Sequence, residues 1–577
     1  MKTNAFKRLP SGNSDFRDIV LHNYAYVDKT RFIEELEREP NRNHFFIRPR
    51  KFGKSMFLRM LNCYYNINCK DEFEQMFGNL YIGKHPTPER NRYVILEFDF
   101  SGINTNSKDG FITSFSRKVQ LSVCNFFNDY DGIIPEARQT VREIKDKYAG
   151  IDALEIAFSA MSDYGLQAFV IIDEYDHFAN DLIAMGTLEG EDFYHAMVAA
   201  NGLVRDFYEK IKTGTKSSIV YRTFVTGISP VMLDDLTSGY NIAKILTLEI
   251  EYNEMMGFTQ QEVEWLMTET GVDPVLINVD MEAYYNGYLF HPDGENRVYN
   301  PAMIMYFFGQ ILRSNRPPEN IIDYNLRTDY GRLRRLAQNE KNRETLLQII
   351  KDGGITAEIL EKFSLDRLND ERYFTSLLFY MGLLTIKERS FTRLSLIIPN
   401  YSIQTLYWEY LDELLRETSP GMTVSSNQLD KEIAALAIKG EVHGFIRYVS
   451  ENAFGKLSDH DLRQFDEKYI KILLLAYLFM SKMYIPMSEY ETVPGRSDIY
   501  LQRNPLYPQI KYEWIFEIKY CRTSAKAAEI AAKREEGLGQ LKQYIHAHRM
   551  EGRPDLKTAL LLFIGKNKYE IYETFDK

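Results

Sequence analysis

With 577 residues, 45% of them hydrophobic and 26% charged, and with no low-complexity tract or strong internal repeat, the chain exceeds one hydrophobic core severalfold and has the composition of a folded protein of about three or more domains. A formal net charge of −11 excludes a protein that coats nucleic acid through its overall field, although residues 501–577 carry 14 Lys/Arg against 10 Asp/Glu. Four cysteines without CxxC pairing exclude a disulfide framework, the start lacks the apolar core of a signal peptide, and the longest apolar run, Ile472 to Met480, is about half a membrane span, so a cytoplasmic protein without membrane contact is expected.

The first informative stretch is "FFIRPRKFGKSMFLRML", Phe45 to Leu61. It meets the phosphate-loop pattern G-x-x-x-x-G-K-[ST] except at the first glycine, where Arg48 stands. Gly53 lets backbone N–H groups approach phosphate, Lys54 balances charge on the outer phosphates, and Ser55 offers a hydroxyl to magnesium at a helix N-terminus. "HFFI" reads as a buried strand before the loop and "SMFLRMLNCYY" as a helix after it. Further on, "LQAFVIIDEYDHF" places Asp173 and Glu174 directly after an apolar run, as in a Walker B strand. The aspartate suits the magnesium shell and the glutamate suits the attacking water. A strand-like run, "RYVILEFDFSGI", lies between the two motifs, and "YRTFVTGISPV" follows them. This order fits ATP-hydrolysing P-loop proteins. Thr226 or Ser229 would sit beside the γ-phosphate, with ordinary turn chemistry as the equal alternative. Arg50, Arg205 and Arg222 are the candidates for an arginine finger, and a neighbouring subunit of a homo-oligomer is another source.

From about Glu251 to Phe290 the pattern is helical with an aromatic end, "MEAYYNGYLF". "RYFTSLLFYMGLLTIKERSFTRLSLIIPN" then reads as a helix, a strand ending near Ile386, a charged turn and a strand ending at Pro399. This is winged-helix-like. Such a module contacts DNA or a partner, or serves domain packing. The Arg332, Arg334 and Arg335 cluster reads as a solvated helix face.

Near the C-terminus the series is an apolar helix at Tyr469 to Met480 preceded by Glu467, then Glu489, Asp498 three residues after Gly495, Glu517-Ile518-Lys519, a helix with Gln540 and Tyr544, and the buried strand "ALLLFIG". Glu517 and Lys519 share one strand face, and a hairpin can set Asp498 opposite them. Two carboxylates and a carbonyl make a hard oxygen site for Mg2+ or Mn2+, with the lysine placing water or stabilising phosphate charge. Gln540 and Tyr544 share a helix face, where they orient the lysine, touch phosphate, or form a polar helix edge.

"LPSGNSDFRDIVLHNYAYVDKTRFIEEL", "FFIRPRKFGKSMFLRML", "VIIDEYDHF", "FVTGISPV", "YYNGYLF" and "VYNP" together resemble the AAA-ATPase-like family of bacterial proteins, which usually carries a C-terminal PD-(D/E)xK nuclease-like domain. The C-terminal series resembles the αβββαβ core of those nucleases, in the branch with a Q-x-x-x-Y helix. The resemblance implies that Arg48 is the family's own residue in the loop, and that the "YVDKT" box, Tyr26 to Thr30, belongs to the ATPase module near the base or ribose. The expected architecture is α/β and multidomain. A P-loop ATPase domain with a parallel sheet and flanking helices spans 1–250, a helical and winged-helix-like region 251–410, and a PD-(D/E)xK nuclease-like domain 411–577. ATP and Mg2+ (or Mn2+) are the expected cofactors and DNA the expected partner. Glu174, Asp498, Glu517 and Lys519 are the catalytic candidates. Arg50, Gly53, Lys54, Ser55, Asp173 and Thr226 are the cofactor-binding ones. Ser55, Asp173, Asp498 and Glu517 are the metal ligands, supported by Glu489, Gln540 and Tyr544. The alternative is an ATP-driven switch or scaffold in a defence or regulatory assembly, with a C-terminal domain that binds without cleaving. The Asp173-Glu174 pair disfavours a phosphotransferase.

Overall fold

A computed structural model describes residues 6–148, 150–185, 188–198, 202–236, 239–277, 279–318, 320, 328–418, 426–454, 466–481, 483–491, 496–504, 507–547, 554–565 and 568–574. The chain divides into two compact units, residues 1–345 with 356–402 and residues 346–355 with 403–577. The stretch 251–345 and the hairpin region up to 402 thus belong to the same unit as the phosphate loop.

The first unit is built on β1 (Asn43–Ile47), β2 (Val94–Asp99), β3 (Ala168–Asp173), β4 (Val220–Gly227) and β5 (Lys244–Ile245), in the order β2-β3-β4-β1-β5 with every pairing parallel. β1 and β3 are buried at every residue, because helices cover both faces of such a sheet and the strands read as continuous apolar runs. In space the strand between β1 and β3 is β4. β2, which lies between them in sequence, is instead the edge strand. The C-terminal ends of β1, β3 and β4 therefore stand side by side, which is where ligands bind in open parallel sheets.

The middle stretch forms the helix Glu371–Tyr380 and a three-stranded sheet of β6 (Gly354–Ala357), β7 (Thr385–Ser390) and β8 (Arg393–Ile397), with β7 and β8 antiparallel. β7 runs four residues beyond Ile386, where an end was expected, because its pairing with β8 continues to Ser390↔Arg393 after the core contacts stop.

In the second unit the helix Glu467–Met480 precedes β9 (Tyr484–Glu491), β10 (Arg496–Arg503) and β11 (Glu513–Cys521). The helix Ala527–Ala547 then leads to β12 (Leu556–Ile564) and β13 (Lys568–Thr574). The sheet order is β13-β12-β11-β10-β9, with β11 and β12 parallel and the other pairs antiparallel. This is the expected αβββαβ order with one added strand. Among the described residues no helix is long and apolar enough to cross a membrane.

Candidate functional site

Among the described residues, each unit holds one candidate site. In the first, the loop from Arg48 to Gly53 leaves β1 and enters the helix Lys54–Tyr65 through Gly53 in the left-handed region, φ +93. Nothing lies within 4 Å of the place a Cβ would take at Gly53, so the cradle is open to a phosphate there. The Lys54 ammonium is buried and donates to the carbonyls of Arg48 at 3.0 Å and Pro49 at 2.9 Å. Burial lowers its pKa, while Asp173, Asp176 and Glu174 act in the opposite direction. Ser55 Oγ donates to Asp173 Oδ2 at 2.7 Å, which joins the two motifs directly. Burial pushes the Asp173 carboxyl up to about 6 against the Ser55 hydroxyl and the Lys54 charge. The donor set of a hydroxyl and an acidic oxygen fits a hard divalent cation.

Arg48 occupies the first-glycine position as a fully buried side chain. Its guanidinium donates to the carbonyls of Ile47, Thr247 and Tyr252 and lies over the rings of Phe290, at 3.8 Å, and Phe46, at 4.2 Å. The arginine ties the loop to residues 247–252 and 290, a fixing role that a glycine could not fill.

Glu174 has φ +51, and its N–H donates to Asp173 Oδ1 at 2.9 Å. Its carboxylate is 3.2 Å from His177 Nδ1, and His177 holds it below the usual carboxylate range. Gly102 N–H donates to His177 Nε2 at 3.0 Å, so the imidazole bridges Glu174 to the turn after β2. Asp176 is buried and accepts from Ile228 N, Ser229 N and Ser229 Oγ, which locks the segment after β4 against β3. Thr226 and Ser229, candidates for the γ-phosphate, have their hydroxyls committed elsewhere: Thr226 Oγ1 donates to Phe46 O at 2.7 Å and Ser229 Oγ to Asp176 at 2.9 Å. Of the finger candidates, Arg205 pairs with Glu209 and Arg222 lies buried against Glu89, whereas Arg50 stands on the phosphate loop itself. In the "YVDKT" box, Asp28 accepts from Thr30 and from Tyr81 N, and the buried Lys29 ammonium donates to Glu262 and Glu254 O. Those polar groups thus fasten the box within the unit.

In the second unit the β10–β11 ladder pairs Ile499 with Phe516, so the next rung sets Asp498 against Glu517 on one face. Asp498 Oδ2 accepts from Ile518 N at 2.8 Å. Glu517 is 2% exposed; its Oε1 accepts from Lys519 Nζ at 2.8 Å and its Oε2 is buried without a hydrogen-bond partner. Burial, reinforced by the Asp498 charge, pushes the Glu517 carboxyl up to about 7. Lys519 Nζ also lies 3.8 Å from Glu467 and 3.6 Å from Glu536, and the buried Lys471 lies 3.8 Å from Asp498 Oδ1. Among the described residues no three His, Cys, Asp or Glu side chains form a ready-made metal cage. Still, an orphaned buried carboxylate oxygen beside a second carboxylate is a donor set that a divalent cation fits.

Gln540 Oε1 is buried without a hydrogen-bond partner, whereas Tyr544 packs in the apolar cluster of Tyr500, Ile515, Leu541 and Leu560. Tyr544 is therefore a core residue of the helix–sheet contact, not part of a polar helix edge. Glu489 lies on β9, its side chain outside the described residues. His177, Asp176, Lys471 and Glu536 join the sites although the sequence pattern did not single them out. The signals were a histidine three residues after Glu174 and Lys471 set among the apolar residues of the helix Glu467–Met480.

Residues 10–237 match the family model described as a predicted AAA-ATPase, and residues 465–573 match that of the PD-(D/E)XK nuclease superfamily. An uncharacterized protein in the vnfD 5' region of Azotobacter chroococcum mcd 1 is 26% identical over 303 residues, 52% of this chain and 52% of that protein. The chain thus spans about half the length of the curated relative it matches. Among solved structures, the Walker-type ATPase PABY2304 of Pyrococcus abyssi is similar at 14% identity and a TM-score of 0.34, covering 66% of this chain and 94% of that one. The ORC1 protein of Aeropyrum pernix in complex with DNA aligns at 10% identity and a TM-score of 0.27, covering 72% and 100%.

Proposed function

We propose that this chain, which joins an AAA-ATPase-like domain at residues 10–237 to a PD-(D/E)XK nuclease superfamily domain at residues 465–573, hydrolyses ATP and cleaves phosphodiester bonds in DNA as a cytoplasmic bacterial enzyme. The observation that carries the nuclease reading is the orphaned, buried Oε2 of Glu517 beside Asp498 and Lys519. A carboxylate oxygen buried without a partner is unfavourable in a purely structural site and is explained by a ligand that takes it up.

In the first site Lys54 would leave its loop carbonyls for the outer phosphates, Ser55 and Asp173 would hold magnesium, and Glu174 would orient and deprotonate the attacking water. Arg50, on the same loop, adds positive charge. In the second site Asp498 and Glu517 would hold a magnesium or manganese ion, whose charge would draw electron density from the phosphate oxygens. Lys519, held by Glu517, would place the attacking water or balance charge on the phosphorane.

A second reading is favoured by one observation. Lys471 and Lys519 each approach a carboxylate of the site, so the acidic pair is already balanced by lysines, as suits a domain that binds nucleic acid or a partner without cutting it. One experiment separates the two readings. The purified chain is incubated with linear and circular, single- and double-stranded DNA, with magnesium or manganese and ATP, beside Lys519→Ala and Glu174→Gln. Cleavage lost in Lys519→Ala, and ATP turnover lost in Glu174→Gln with ATP still bound, are the expected outcomes. Unchanged turnover in Glu174→Gln rejects its assignment. Absence of cleavage on every substrate, with intact turnover, favours the non-cleaving reading.

A further inference from the structure

The β7–β8 hairpin ends in a residue that its own fold does not use. Phe391 stands at the tip, 99% exposed, with φ +52. A bulky aromatic rarely adopts that backbone conformation, and an apolar ring in water adds nothing to folding. The root of the hairpin is firmly held by contrast. Ile386 and Leu396 are buried, and Thr385 Oγ1 accepts from Leu289 N at 2.8 Å. The outer half carries Lys387, Arg389 and Arg393 in exposed positions against a single acid, Glu388. The ion pair of Arg389 with Asp293, 3.1 Å, is itself exposed at both ends, 57% and 63%, and holds the arginine weakly. The local charge is therefore positive on a chain whose net charge is −11.

An anchored hairpin with cationic sides and an apolar tip suits a nucleic-acid duplex. Lysine and arginine gain affinity from phosphates, and an apolar wedge enters between base steps. We infer that this hairpin is a duplex-DNA wedge, with Phe391 inserting at a base step and Lys387, Arg389 and Arg393 against the flanking phosphates. The inference deepens the DNA reading above by naming an element that grips the duplex, and it rests on that reading for the kind of polymer.

The test measures fluorescence anisotropy of the full chain with a fluorescein-labelled DNA duplex and with its single strand, in EDTA so that nothing is cut. A second duplex carries 2-aminopurine, whose emission rises on unstacking. Phe391→Ala is expected to weaken duplex binding about tenfold and to remove the 2-aminopurine response, while Phe391→Trp keeps both. Arg389→Gln and Arg393→Gln are each expected to weaken binding and to lower the salt dependence by about one ion. The thermal midpoint of Phe391→Ala should match the parent, since the ring packs on nothing. Duplex affinity unchanged in Phe391→Ala, or a parent chain that binds no duplex, overturns the inference and leaves the tip to a protein partner. Because binding is read without metal, a chain that grips duplex through Phe391 yet cuts no DNA with magnesium rejects the nuclease reading alone.

Discussion

His177 reaches back three residues to Glu174 while its second ring nitrogen meets Gly102 N–H, so one imidazole fixes the carboxylate relative to β2 and β3. A glutamate that must orient water works only within a narrow range of positions. His177→Ala should therefore lower kcat for ATP by about a hundredfold with little change in KM, in steady-state turnover. A KM effect alone would mean that the histidine serves binding instead. At this scale the sequence made Lys54, Ser55, Asp173, Glu174, Asp498, Glu517 and Lys519 legible, because motif spacing encodes which atoms meet across one turn or one hairpin. Arg48 and Lys471 were not legible in their roles. The carbonyl of Tyr252 that Arg48 meets is 204 residues away, and Lys471 reads as one charge in a helix whose neighbours are all buried.

Two elements give tests of packing. The helix Ala527–Ala547 carries Gly537 and Gly539, which sequence treats alike. A Cβ at Gly537 would lie 2.4 Å from Leu560 Cδ1 and 3.2 Å from Lys519 Cγ, whereas one at Gly539 meets nothing within 4 Å. Gly539→Ala should raise the thermal midpoint through helix propensity, worth up to about 1 kcal/mol. Gly537→Ala should lower it by overpacking of about 1–3 kcal/mol and disturb Lys519 as well. On β1, His44 is buried, donates to Asn41 O, and is pushed down to about 4 by burial. It is neutral in the fold, while the unfolded chain takes up a proton near the ordinary value of 6.5. Stability is therefore complete above pH 6.5 and falls as pH drops toward about 4, by up to about 3 kcal/mol. His44→Gln should flatten that acid limb in denaturant titrations across the range. The strands that carry the motifs, β1 to β4, β7, β8 and β10 to β12, were readable from apolar runs and spacing, whereas the short β5 and β6 and the terminal β13 were not singled out. The position of β4 between β1 and β3 was not readable, because strand neighbours are set by crossovers rather than by chain order.

At the scale of the whole molecule, the chain passes between its two units three times, at 345/346, 355/356 and 402/403, while the regions that match the AAA-ATPase and nuclease-superfamily models, residues 10–237 and 465–573, follow one another in tandem. More than one covalent crossing would give a conformational change in one unit more than one route into the other. If ATP binds as proposed, it would supply such a change, because Lys54 would leave the Arg48 and Pro49 carbonyls to meet phosphate. Coupling is a free energy between sites and is reciprocal, so if ATP changes the affinity for DNA by some factor, DNA should change the affinity for ATP by the same factor. Lys54→Ala removes one preorganised charge from the phosphate site and should lower ATP turnover by about a hundredfold or more. If the units are coupled, cleavage in Lys54→Ala no longer responds to ATP, while Lys519→Ala abolishes cleavage with or without ATP and still hydrolyses it. Measuring both rates in both variants decides the point. Cleavage that ignores ATP in the parent chain would show two activities that share a polypeptide and nothing more.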